Sequence, residues 1–283
     1  MTKQINSKDK PNENALDRYK KHECVSNELK KVTKSNDVHF IRDGFADEDT
    51  YTKLKEPKVL FIGKEPHDFT EGKSPIICSE DDLEPENFKK WSKNTFYQNL
   101  MFYFYALDSL YSTPQKYTFK LSDCNLKTDD GKTVNKLIER FKKIAFINIK
   151  KWDTKDSTSR DTTIKQYAAE YKIPLREQIK AIDPDIIFLC GTDKAFRELF
   201  EKQEINLEKD DDQDFNNLSY LDDKYKWFYF VELNNKTRLV INYYHPSFTQ
   251  RPGWIDVLAV QNILRNAKTY MSKHNNVMNN LNL

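Results

Sequence analysis

The chain has 283 residues, of which 38% are hydrophobic and 32% charged, with a formal net charge of +2. That length holds one large α/β domain with an extension, or two small domains. The near-neutral charge excludes a broad cationic coat for nucleic acid and leaves room for a local basic patch.

Four cysteines, Cys24, Cys78, Cys124 and Cys190, form no C-x-x-C pair, so no zinc or iron–sulfur centre is signalled. The N-terminus is charged and lacks an apolar leader, and no apolar run approaches transmembrane length. A reducing cytoplasm is the expected setting, with no membrane association.

In chain order, residues 1–15 are rich in Lys, Asn and Asp and read as disordered. Residues 16–34 place Leu16, Tyr19, Leu29 and Val32 among many charges, which suggests an amphipathic helix. Val59 to Ile62 is a continuous apolar run stopped by Gly63, the pattern of a strand buried on both faces. A long loop is expected from there to Asn94, followed by an apolar helix from Phe96 to Leu110.

Ile144 to Ile149 reads as a second buried strand, and Thr162 to Ile182 as one helix. Asp185 to Gly191 is a third strand, followed by a helix from Thr192, the expected N-cap, to Lys202. Residues 208–214 form an acidic loop. Two arms, 225–233 and 237–244, flank a hairpin turn at Asn234-Asn235-Lys236. A last helix spans Ile255 to Met271 before an Asn-rich tail.

Strands alternating with helices predict a three-layer α/β/α fold around a central, mostly parallel four-stranded sheet, with an N-terminal helical extension. The expected division is an extension over 1–50, a catalytic domain over 51–273 and a flexible tail over 274–283. In such sheets ligands sit at the C-terminal ends of the strands. There the sequence places Gly63-Lys64-Glu65-Pro66-His67-Asp68, then Asn148, then Gly191, then His245-Pro246-Ser247.

A carboxylate, an amide and an imidazole meeting in one crevice suit a hydrolysis in which water is held, a planar ligand is read and developing negative charge is stabilised. Taken singly, Glu65 reads equally well as a loop cap, and Asn148 and His245 as structural braces. Their joint placement at strand ends favours a site. No G-x-G-x-x-G, P-loop or G-x-S-x-G occurs among the six glycines, which argues against a phosphate-cradling or serine-hydrolase protein.

Read in order, these motifs resemble the uracil-DNA glycosylase-like superfamily, from about residue 57 to 270. Val59 to Pro66 resembles its first motif. Asn94 to Leu100 resembles the helix start of its mismatch-specific branch. Phe146-Ile147-Asn148 resembles its central strand, Pro184 to Gly191 a later strand, and His245-Pro246-Ser247 its final motif.

The resemblance implies a monofunctional DNA glycosylase that flips an abnormal base, hydrolyses its N-glycosidic bond and leaves an abasic site, in either double- or single-stranded DNA. It implies that Glu65 orients water and that His245 meets the departing base. Gly63, Lys64, His67, Trp91 and Asn148 line the substrate, and Lys150, Lys151, Pro246, Ser247 and Arg251 contact DNA. No metal, cofactor or iron–sulfur cluster is implied, and a monomer is expected. Phe69, Phe88 and Trp91 are the candidates to stack on the base, Trp91 first.

Two departures bear on substrate choice. His67 stands where the uracil-selective branch has Tyr and permissive branches have Gly. The loop over 69–93 carries the acidic run Ser79 to Glu84, a solvated flap or a remodelled pocket mouth. Both lean towards a bulky modified pyrimidine, as in some phage DNA, over uracil, and so towards antiviral defence over repair. A catalytically silent glycosylase-fold module that binds DNA or protein is the competing expectation.

Overall fold

The computed structural model describes residues 43–65, 83–91, 95–111, 131–151, 160–206, 227–247 and 253–273. The expected helix over 16–34, the acidic loops and the tail lie outside these residues. Among the described residues no helix is long and apolar enough to cross a membrane.

Seven strands form one mixed sheet: β1 (Gly44–Phe45), β2 (Val59–Gly63), β3 (Ile144–Asn148), β4 (Ile186–Cys190), β5 (Ile205–Asn206), β6 (Phe228–Leu233) and β7 (Lys236–Tyr243). Their order is β1-β3-β2-β4-β7-β6-β5. The expected four-stranded sheet is therefore corrected to seven strands. Four central strands, β3, β2, β4 and β7, run parallel. Antiparallel strands cover both flanks, β1 beside β3 and the β6–β5 pair beside β7.

The apolar runs explain the centre: every residue of β2, β3 and β4 is buried, as two-sided coverage demands. The hairpin between β6 and β7 turns at Asn234 and Asn235, with φ of 55° and 58°, the left-handed pair that a two-residue turn of this hand requires.

Helices cover both faces. On one lie α2 (Pro85–Trp91), α3 (Thr95–Tyr111), α4 (Gly131–Phe141) and α8 (Gly253–Lys273). An aromatic stack joins this layer to the sheet: the Tyr103 ring of α3 lies 5.2 Å from Phe188 of β4 and 5.2 Å from Tyr243 of β7. On the other face lie α5 (Asp161–Glu170), α6 (Lys172–Ile182) and the short α7 (Asp193–Phe196), with Tyr51 of α1 (Glu48–Thr52).

Several expectations change. The boundary at residue 51 falls inside α1, and β1 is part of the sheet, so the folded core takes in residues 43–50. The single helix over 162–182 is two, broken at Tyr171, because Pro174 has no N–H to continue the preceding turn. The helix from Thr192 stops after one turn and tightens to a 3₁₀ segment, Arg197–Leu199. Thr192 makes no capping hydrogen bond.

Three helices have no counterpart among the expected elements, the short α1 among them. α2 falls within the expected long loop. α4 buries Val134, Leu137, Ile138 and Phe141, a helical spacing that the sequence does display.

The far end of the sheet is set by Asp185. Its carboxylate accepts from the Lys58 N–H (2.9 Å) and from the buried Arg238 of β7 (3.1 Å), so one side chain ties the starts of β2, β4 and β7. Arg238 also pairs with Asp183. Asp185→Ala is expected to cost about 1–3 kcal/mol, by leaving the Lys58 N–H and one face of Arg238 unsatisfied. Urea denaturation measures it, and an unchanged midpoint would show that the Arg238–Asp183 pair suffices.

Candidate functional site

The chain leaves β2 towards the α3 face and leaves β4 towards the α7 face. Between these two strand ends the connections diverge, which opens the crevice where ligands bind in such sheets. Thr192 bridges the gap, its hydroxyl donating to the Ile62 carbonyl at 3.0 Å.

Gly63 and Asn148 are register partners at the ends of β2 and β3. A Cβ on Gly63 would lie 2.6 Å from Asn148 Oδ1 and 2.7 Å from the Phe146 ring, so only glycine leaves room for this amide. Asn148 is buried, and its backbone N–H donates to Asp43 at 2.6 Å. Its side-chain Nδ2 has no partner among the described residues. A buried donor left unpaired costs free energy, so it marks a place where a partner belongs.

Glu65 lies two residues beyond Gly63, with its side chain 1% exposed. Its Oε2 accepts from Lys150 Nζ at 2.8 Å. Lys150 also lies 5.6 Å from the centre of the Tyr167 ring. Burial raises the Tyr167 pKa, and the Glu170 and Glu65 carboxylates raise it further. Lys151 donates to Asp43 at 2.7 Å and to Gln178 at 3.0 Å. Lys150 and Lys151 were expected at the surface against phosphate. That expectation is corrected: both are buried, and each neutralises a buried carboxylate.

His245 follows β7. Its Nδ1 accepts from the Ser247 N–H at 3.2 Å, so in the neutral ring the proton sits on Nε2. Gly191, at φ 69°, gives the loop room: a Cβ there would meet the His245 Cβ and N at 3.3 Å. From beneath, Asn99 of α3 donates to the Pro246 carbonyl at 2.5 Å. The Phe96 ring lies 5.6 Å from His245 and 5.8 Å from Phe146. One turn of α3 thus touches both the loop and the strand that carries Asn148.

Lys64 points elsewhere. Its ammonium pairs with Asp161 at 2.7 Å, and both line a cavity of about 350 Å³ with Thr192, Lys194, Trp227 and His245. Glu65 and Asn148 do not line that cavity. His245 stands between the two regions.

Gly63 and Asn148 close β2 and β3, and Glu65 and His245 lie two residues beyond β2 and β7, all at the C-terminal end of the parallel strands. Pro246 is buried and Ser247 exposed. Phe88 is a core residue, 1% exposed and edge-on to Phe141 at 5.3 Å, so it is removed from the stacking candidates. Trp91 closes α2; its side chain, with His67, Phe69 and Arg251, lies outside the described residues.

Sequence reasoning missed Asp43, Phe96, Asn99 and Thr192. Phe96 and Asn99 fall in the Asn94–Leu100 segment, already marked by resemblance. Nothing local marks Asp43.

Compared with family models, with curated proteins and with solved structures, the chain matches none.

Breaking the Glu65–Lys150 pair leaves a buried charge. Lys150→Met is expected to cost about 3–5 kcal/mol, and adding Glu65→Gln to recover most of it. Equal urea midpoints for Lys150→Met and wild type would show that the pair is dispensable.

Proposed function

We propose that the protein is a DNA glycosylase that hydrolyses the N-glycosidic bond of a flipped, abnormal base. The observation that carries this reading is Asn148. A buried amide with an unpaired donor faces a glycine that cannot be replaced without collision, at the strand ends where Glu65 and His245 also arrive. A planar base offers the partner that Nδ2 lacks, since carbonyl oxygens lie along its Watson–Crick edge.

The roles follow from the geometry. Asn148 donates to the base edge. Phe96, already against His245 and Phe146, offers an aromatic face at the loop, in place of Phe88. The C1′–N bond of the sugar breaks and its electron pair leaves with the base. His245 meets that charge with the proton that Ser247 keeps on Nε2, which favours departure without requiring an imidazolium. Glu65, paired with Lys150, stabilises positive charge growing on the sugar and orients the water that attacks C1′. The water proton balances the base anion, so neither redox chemistry nor a covalent enzyme intermediate is required. Ser247, exposed beside the buried Pro246 on a loop braced by Asn99, presses on the DNA backbone.

The substrate is a uracil-type lesion or a bulky modified pyrimidine, as His67 and the acidic loop imply by their departure from the resembled pattern. One observation favours a second reading. Glu65 is bonded to Lys150 and does not line the cavity beside His245, which suits a silent module that binds modified or abasic DNA without releasing a base.

The two are separated by incubating the protein with uracil-containing oligonucleotides and with genomic DNA from phages that carry modified cytosines, then cleaving abasic sites with alkali. Strand breaks in at least one are expected, and breaks in neither would sink the enzyme reading.

Glu65→Gln in the Lys150→Met background, which leaves no unpaired buried charge, and His245→Ala are each expected to slow release by about 10²–10³-fold, with DNA binding retained. Full rates in both would reject these roles. Gly63→Ala should fold and lose activity to a similar degree, because Asn148 must move. Retained activity there would show that the amide does not read the base.

A further inference from the structure

Asp43 lies just before β1, at the far side of β3 from the crevice. Hydrogen bonding in β3 alternates: the Ile149 N–H faces β2, donating to Gly63, and the Asn148 N–H faces the β1 side. There β1 has ended, since its last register pair is Gly44 with Phe146. Among the described residues no strand receives the Asn148 N–H. The Asp43 carboxylate takes the place of the missing carbonyl, accepting at 2.6 Å through Oδ2.

The other oxygen, Oδ1, accepts from Lys151 at 2.7 Å and from Gln178 Nε2 at 3.1 Å. Gln178, on α6, also donates to the Asp43 carbonyl at 3.1 Å. Its Oε1 accepts from Lys151 at 3.0 Å. Three buried donors, from the last residue of β3, from Lys151 just beyond it and from α6, thus close on one carboxylate, and satisfied buried networks of this kind are rigid. The contrast at Asn148 is informative: its backbone is clamped, and its side-chain donor has no partner. That is the arrangement of a preorganised reading group.

We propose that Asp43 is a positioning residue for Asn148, so that the segment leading into β1 is part of the base-reading apparatus. This rests on the glycosylase reading of Asn148. Asp43 touches no substrate; it acts by fixing the strand end from which the amide projects. A merely structural Asp43 would serve only as the counter-ion of Lys151, and the two roles separate in charge-balanced pairs.

Asp43→Ala with Lys151→Met removes the ion pair and the acceptor together. Asp43→Asn with Lys151→Met removes the ion pair and keeps an oxygen for the Asn148 N–H. Release is measured on whichever of the two DNAs above the wild type attacks, below the thermal midpoints of both variants.

The expected result is a kcat/KM lowered about 10²-fold in the Ala pair and close to Lys151→Met alone in the Asn pair. Equal rates in the two pairs would overturn the positioning role while leaving the glycosylase reading intact. No release by the wild type would remove both. Should the Ala pair fail to fold, amide hydrogen exchange of the wild type decides: the Asn148 N–H is expected to be protected as strongly as Phe146 in mid-strand, and rapid exchange would overturn the inference.

Discussion

The Asn148 amide occupies the space that any side chain at position 63 would fill, with Oδ1 2.6 Å from where a Cβ would stand. Most of the site depends on that exclusion. β2 and β3 are parallel and in register to their last residues, so the missing side chain on one strand becomes the seat of the polar group on the next. Two residues further along each strand stand Glu65 and Lys150, which meet at 2.8 Å because the ladder continues through the Ile149 and Lys150 N–H groups. Parallel register therefore fixes the separation between the Asn148 amide and the Glu65 carboxylate.

Charge burial is the second constraint. Glu65, Lys150 and Lys151, just beyond β2 and β3, and Asp43, just before β1, form two separate buried ion pairs. Replacing such pairs with apolar groups often leaves stability unchanged or raised, so stability alone gives no reason for their presence. Each pair does hold a group at the crevice: Lys150 holds Glu65, and Lys151 holds the carboxylate that clamps Asn148. The surface of the site is correspondingly less basic than the sequence suggests. Any grip on phosphate must come from residues other than Lys150 and Lys151.

Much of the frame was readable before any coordinates. The runs at 59–62, 144–149 and 185–190 are strands because uninterrupted branched and aromatic residues suit a sheet covered on both faces. The Asn-Asn turn announced the β6–β7 hairpin. Short edge elements escaped notice because two residues of β1 or β5 carry no periodicity; they exist only where a neighbour offers its edge. The helix expected over 162–182 is split for a local reason, Pro174, whose missing N–H breaks a periodicity that otherwise runs on. Thr192 looked like a cap and instead donates across the crevice to Ile62, a choice made by the neighbouring strand.

The sequence by itself determined which segments are strands, that they end in glycine, carboxylate, amide and histidine, and the order in which these come. Burial periodicity and turn chemistry are set among near neighbours, so they can be read locally. The tertiary structure alone decided the partners. Glu65 and Lys150 are 85 residues apart, Asp43 and Lys151 108, and Asn99 and Pro246 147. A lysine beside a strand end looks the same in sequence whether it reaches for a phosphate or turns inward to a carboxylate. Only the approach of a distant strand or helix supplies the carboxylate that turns it inward.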